Sequence, residues 1–151
     1  MRLSTSGFAL DVVPVRSISL NDKRLYEEKK SQELRERLVD YFENEKPYLK
    51  HNLSIKEVAL HLYSNKTYLS RVINDNFNNN FNQFVNYYRV EEAKRLFGNN
   101  EELTIQKLCR LSGFGSMATF TIAFRFFLGK SPADWCKEQK IRNFNEKRGR
   151  R

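Results

Sequence analysis

The sequence predicts an all-α fold in which two similar pairs of short helices are joined by a longer helix and preceded by a packing helix. Three observations carry that prediction. Apolar residues recur at three- and four-residue spacing through most of 31–136, the pattern of helices with one buried side. Residues suited to helix starts and stops stand between those stretches. The pattern of the first pair then returns, so that Ile55, Val58 and Ala59 find counterparts in Ile105, Leu108 and Cys109.

Composition bounds the function. With 151 residues, 40% of them apolar, the chain can bury the core of one ordinary domain. Its 27 Lys and Arg against 18 Asp and Glu give a net charge of +9. That points to a polyanionic partner, nucleic acid or an acidic membrane surface, and equally to a solvated basic face. Cys109 and Cys136 lack metal-like spacing to each other or to His51 and His61, so the sequence predicts no metal site, no disulfide framework and a reduced, cytoplasmic setting. No run of about 18 apolar residues and no convincing signal peptide are present, which predicts a soluble, unexported chain without membrane contact. No glycine-rich phosphate loop and no nucleophile with an evident base are found, so no catalytic residue and no cofactor is expected.

Residues 1–24 contain Gly7 and Pro14 and show no sustained period, which reads as a linker or arm. The segment 25–52 holds the packing helix and a connection. Its apolar face begins after Ser31, comprises Leu34, Leu38, Tyr41 and Phe42, and stops before Pro47. The first short pair occupies 53–80. "SIKE" at 54–57 is a capping box ahead of the stripe Ile55, Val58, Ala59 and Leu62. Asn65 then caps a second helix that buries Leu69, Val72 and Ile73 and turns Thr67, Ser70, Arg71 and Asn74 outward. Asn78 suits a left-handed C-cap, and Asn80 with Gln83 starts the linker helix of 81–98, with Phe81, Phe84, Val85, Tyr88 and Leu96 apolar and Gly98 as its stop. The second pair and the start of a final helix fill 99–136. The tail 137–151 holds seven Lys or Arg against two acids; it either follows a polyanion's backbone or stays solvated.

With one residue inserted in the second turn, Leu69, Ile73, Phe77 and Phe84 recur as Phe120, Phe124, Leu128 and Trp135. Asn78 matches Gly129, and Asn80 matches Ser131, which with Pro132 opens the final helix. Two short helices joined by a tight turn, the second with a polar outer face, describe a helix-turn-helix, whose second helix enters the major groove of DNA. The prediction is therefore two helix-turn-helix subdomains joined by a long linker helix and preceded by one packing helix.

The stretches "LSIKEVALHLYSNKTYLSRVI", "FNQFVNYYRVEEAKRL" and "TIQKLCRLSGFGSMATFTIAFRFFLGKSPADW" resemble the DNA-binding domain of the AraC/XylS family of bacterial transcription regulators. The resemblance covers about residues 53–136. It implies a sequence-specific, cytoplasmic and nucleoid-associated regulator of transcription, the output part of a larger sensor protein, whose two second helices enter successive major grooves of double-stranded DNA. Carried over position by position, the first reading helix presents Asn65, Lys66, Thr67, Ser70, Arg71 and Asn74, and the second presents Ser116, Met117, Ala118, Thr119, Thr121, Ile122 and Arg125. Arg71 suits a bidentate contact to guanine, while phosphate contact or an internal ion pair is an equally good reading. Ile122 stands at the place matching Arg71, where the family commonly has arginine, so the second unit is expected to read thymine methyl groups and DNA shape. Packing of Ile122 and Met117 inside the domain or on a partner is the competing reading. Phosphate contacts are expected from Lys66, Arg125, Lys130 and the helix starts at Asn80 and Ser131. Tyr63 occupies the turn position where the second unit has Gly113, and a left-handed tyrosine is costly, so the first turn is expected to adopt another conformation. The resemblance also implies RNA polymerase as a partner, with Phe126 a candidate contact, and self-association through further parts of the protein. The alternative function is a protein-interaction module whose second unit has lost DNA readout and uses Met117, Ile122 and Phe126 as an apolar patch.

Overall fold

The computed structural model describes residues 17–150. The first helix, α1 (Leu20–Glu45), starts well before the apolar stripe that predicts it. Ser19 and Asp22 explain the early start. The Asp22 amide donates to Ser19 Oγ at 3.0 Å and the Ser19 amide to the Asp22 carboxylate at 3.3 Å, a closed capping box. The expected arm of 1–24 is thus corrected from Leu20 to Arg24, which are helical; residues 1–16 lie outside the described residues. A helix over those turns buries little: Leu20 and Leu25 are 86% and 55% exposed, and only Leu34, Leu38 and Phe42 of α1 are buried. Lys46 ends α1 in the left-handed region (φ 51°), and a single 3₁₀ turn spans Pro47–Leu49.

The first pair is α2 (Ile55–His61) and α3 (Lys66–Phe77), and α4 (Phe81–Asn99) follows. The second pair is α5 (Ile105–Leu111) and α6 (Met117–Leu128), ahead of α7 (Pro132–Gly149). The pairs match in length, with seven residues in α2 and α5 and twelve in α3 and α6. Asn78 (φ 52°) and Gly129 (φ 71°) cap α3 and α6 in the left-handed conformation expected of them. Two boundaries differ from expectation. Gly98 lies inside α4, whose C-cap is Asn100, because the Asn100 amide still reaches the Leu96 carbonyl. The basic tail is no separate segment, because α7 runs unbroken to Gly149, held near its end by Asn143 donating to Glu101 at 2.6 Å.

Two hydrophobic cores form, and α4 serves both. In the first, Leu34, Leu38 and Phe42 of α1 meet Val58, Leu69, Val72 and Ile73 of the first pair, closed by Phe84 and Val85. In the second, Val90, Ala93 and Phe97 of α4 meet Leu108, Phe120, Ala123 and Phe124 of the second pair, closed by Cys136 with Trp135 packed alongside. Each buried Leu or Phe contributes about 1.5–3 kcal/mol. The repeat is therefore wider than the paired helices: α1 supports the first pair as the end of α4 supports the second.

The connection at 46–51 ties the two halves together. Arg89 of α4, only 7% exposed, donates from Nε to the Tyr48 carbonyl at 2.7 Å and from its guanidinium to the Lys50 carbonyl at 2.8 Å and His51 carbonyl at 3.3 Å. Burial pulls its pKa below the usual arginine value. The turn of the second pair abuts the same connection. Gly113 has φ 92°, and a Cβ there would lie 2.3 Å from the Tyr48 carbonyl oxygen, so both backbone angle and space require glycine.

Tyr63 corrects an expectation. It takes φ 52°, the same left-handed region as Gly113, so the first turn keeps its conformation despite the tyrosine. The closing hydrogen bonds agree: the Ser64 amide reaches the Ala59 carbonyl at 2.8 Å as the Phe114 amide reaches the Cys109 carbonyl at 3.1 Å.

Candidate nucleic-acid interface

Both second helices start on a side-chain cap that fixes their first turn. Asn65 accepts from the Tyr68 amide at 2.9 Å, and Ser116 from the Thr119 amide at 3.2 Å. Each helix buries one stripe and leaves the opposite one open. On α3, Lys66, Thr67, Arg71 and Asn74 are exposed and Ser70 is half-buried. On α6, Met117, Ala118, Thr119, Ile122 and Arg125 are exposed and Thr121 is half-buried. Burial agrees at the matched positions: Ser70 with Thr121, Arg71 with Ile122, Asn74 with Arg125. Ile122 is 67% exposed and Met117 39%, so neither packs into the core of this chain.

The outer faces differ in chemistry. That of α3 is cationic and hydrogen-bonding. Its Arg71 stands 3.9 Å from the Glu27 carboxylate of α1 and 5.1 Å over the Tyr68 ring. That of α6 carries methyl, butyl and thioether groups around one cation, Arg125, and continues into Phe126, 60% exposed.

The candidate phosphate contacts are less available than the sequence suggests. Lys130 pairs with Glu138 at 2.5 Å. Asn80 and its own amide are engaged by Gln83, at 2.9 Å in both directions. Ser131 bonds the Asp134 carboxylate at 2.6 Å, which puts negative charge where a phosphate would sit. Lys66 and Arg125 remain exposed on the outer faces of α3 and α6.

Sequence reasoning missed Glu27 and Arg89. The signal for Arg89 is legible in retrospect, because Val85, Arg89 and Glu92 follow one another at four and three residues on the inner side of α4, and all are buried. Nothing in the sequence marks Glu27, since the turn that carries it has no apolar periodicity. Among the described residues no helix is long and apolar enough to cross a membrane, and no group of three His, Cys, Asp or Glu side chains could hold a metal ion.

Two short helix pairs with open second helices, set on one shared helix, define a double helix-turn-helix domain. A helix-turn-helix domain family model matches residues 58–138. The chain belongs to this AraC-type helix-turn-helix family, and is thereby a DNA-binding domain of the transcription-regulator class. The Msm operon regulatory protein of Streptococcus mutans is 25% identical over 87 residues, which are 58% of this chain and 31% of that protein. The chain thus spans about a third of the length of this curated relative. Two solved structures share the fold. The C-terminal domain of AraT, a response regulator from Geobacillus stearothermophilus, superposes with a TM-score of 0.58 at 24% identity, covering 72% of this chain and 84% of that one. A DNA-binding transcriptional dual regulator from Escherichia coli K-12 gives 0.59 at 18% identity, covering 72% and 93%.

Proposed function

We propose that this domain reads two successive major grooves on one face of double-stranded DNA, as the cytoplasmic, nucleoid-associated output part of a larger regulator. One observation carries the reading: α3 and α6 have equal length and the same pattern of exposure, and both are fixed to α4. In the first groove Arg71 pairs with guanine, Asn74 with adenine or phosphate, and Asn65, Lys66, Thr67 and Ser70 complete the contact. In the second, Met117, Ala118 and Ile122 touch thymine methyl groups, while Ser116, Thr119, Thr121 and Arg125 hold the backbone. Sequence discrimination therefore rests mainly on the first unit.

A second reading is favoured by the exposure of Ile122 and Phe126, which stand one helical turn apart on α6. In it, α6 docks on a protein such as RNA polymerase or a second copy of this chain, and only α3 touches DNA. Selection of bound sequences from a random duplex pool at about 150 mM salt, where non-specific binding is weak, separates the two. Two blocks about one helical turn apart, the second less specific, support two-groove reading. A single block assigns α6 to protein contact, and no enrichment sinks both DNA readings.

A further inference from the structure

We propose that Glu27 acts as an internal brake on Arg71, holding the guanidinium off the groove so that guanine must displace a carboxylate to be read. The proposal rests on Arg71 being a groove-facing residue. It starts from the unexpected length of α1. The turns before Leu34 add almost nothing to the core, yet they run beside α3 on the side of Tyr68, Arg71 and Asp75. Glu27 lies on the same side of α1 as Ser31, Leu34 and Leu38, at the helical spacing that points it toward α3. There Arg71 has two partners, the Glu27 carboxylate at 3.9 Å and the Tyr68 ring face at 5.1 Å. Both lie on the α1 flank of α3, away from Thr67 and Asn74 at the middle of the open stripe. Lys30 leans over the same ring at 5.2 Å, so the flank is ordered by three side chains.

Arg71 is not locked there. It borders a groove of about 650 Å³ between α1 and α3, lined also by Glu27, Ser31, Gln32 and Asp75. With Arg71 61% and Glu27 56% exposed, the pair is one of the weak, screened kind. A weak contact of this sort biases the side chain while leaving it free to swing. The second unit supplies a comparison inside the same molecule. Its support helix, α4, has no acid before Glu91, and the position matching Arg71 is Ile122. Where the arginine is absent, the carboxylate is absent as well.

The test is a binding cycle at low salt on duplex DNA carrying the sequence recovered by the selection above. The variants are Glu27→Gln, Arg71→Ala and the double, with Glu36→Gln, on another face of α1, as control for general charge removal. A brake predicts that Glu27→Gln tightens binding about two- to fivefold, as an exposed ion pair allows. It further predicts that this gain disappears in the Arg71→Ala background and in a probe whose guanine is replaced, and exceeds any gain from Glu36→Gln. If Arg71→Ala binds like wild type, or selection recovers no sequence, both the groove assignment and the brake fail. If Arg71→Ala weakens binding but Glu27→Gln is neutral or weaker, the brake alone fails. An equal gain in the Arg71→Ala background also overturns it, because Glu27 then acts by plain repulsion of phosphate. Thermal melting of each variant checks that folding is unchanged.

Discussion

Tyr63 and Gly113 sit at matching turns with the same sign of φ, and they predict opposite mutational effects. Tyr63 is 93% exposed and packs on nothing, so its left-handed backbone is uncompensated. Tyr63→Gly should raise stability by about 0.5–1 kcal/mol in a urea melt, since an L side chain costs about 1–2 kcal/mol there and glycine returns part of that as chain entropy. Gly113→Ala should cost more than about 2 kcal/mol, because strain and a backbone clash coincide. A second residue-level prediction concerns readout. Arg71→Ala should lose about 1–3 kcal/mol of discrimination at one guanine of the first block. Ile122→Arg should introduce a guanine preference in the second block of a repeated selection; an unchanged second block would show that Ile122 does not face the groove. At this scale the sequence reports the chemistry of a side chain and not the partners it meets in the fold. Lys130 and Ser131 have the right chemistry for phosphate, but partners on α7 occupy them.

Among the elements, α2 shows how a short helix is held. Ser54 and Glu57 close its capping box, and Lys50 bonds the same carboxylate. The hydrogen bond from Lys50 and those from Ser54 lower the Glu57 pKa to about 2. The sign follows directly: a folded-state pKa below the unfolded value of about 4.5 means that the carboxylate stabilises the fold above that pH. This contribution is lost as pH falls from about 4.5 towards 2, and Glu57→Gln should flatten the melting temperature across that window. Helices announced by caps and a stripe, α2 and α3, were legible in the sequence, and α5 and α6 were legible through the repeat of that pattern. The start of α1 was not, since a capping box alone, without a buried face behind it, is a weak signal. Gly98 misled for the converse reason: glycine is tolerated inside a helix whose neighbours Phe97 and Leu96 are anchored in a core.

For the whole molecule, affinity should be governed by charge and spacing together. A net charge of +9 and the binding across two grooves proposed above imply several phosphate contacts. With about six of them, affinity should fall on the order of a thousandfold between 50 and 200 mM salt, and a nearly flat salt dependence would count against groove binding. The joint between the two halves depends on Arg89, which holds the 46–51 connection against α4. Arg89→Met removes the side-chain donor to the Tyr48, Lys50 and His51 carbonyls, of which Lys50 keeps the Leu53 amide, and should destabilise the domain by about 2–4 kcal/mol in chemical denaturation. This arrangement was invisible in the sequence, because periodicity reports which side of a helix is inward and not what a side chain meets 41 residues away.

The joint at residues 46–51 also bears on how such a chain can change over generations. Its two halves read as copies, but neither keeps its own foundations: the support helix of the second ends the core of the first, and the turn of the second rests on backbone that belongs to the first. A unit that has merged with its twin in this way is free to differ in its outward letters, as Ile122 differs from Arg71. It can no longer be deleted, exchanged or inherited alone.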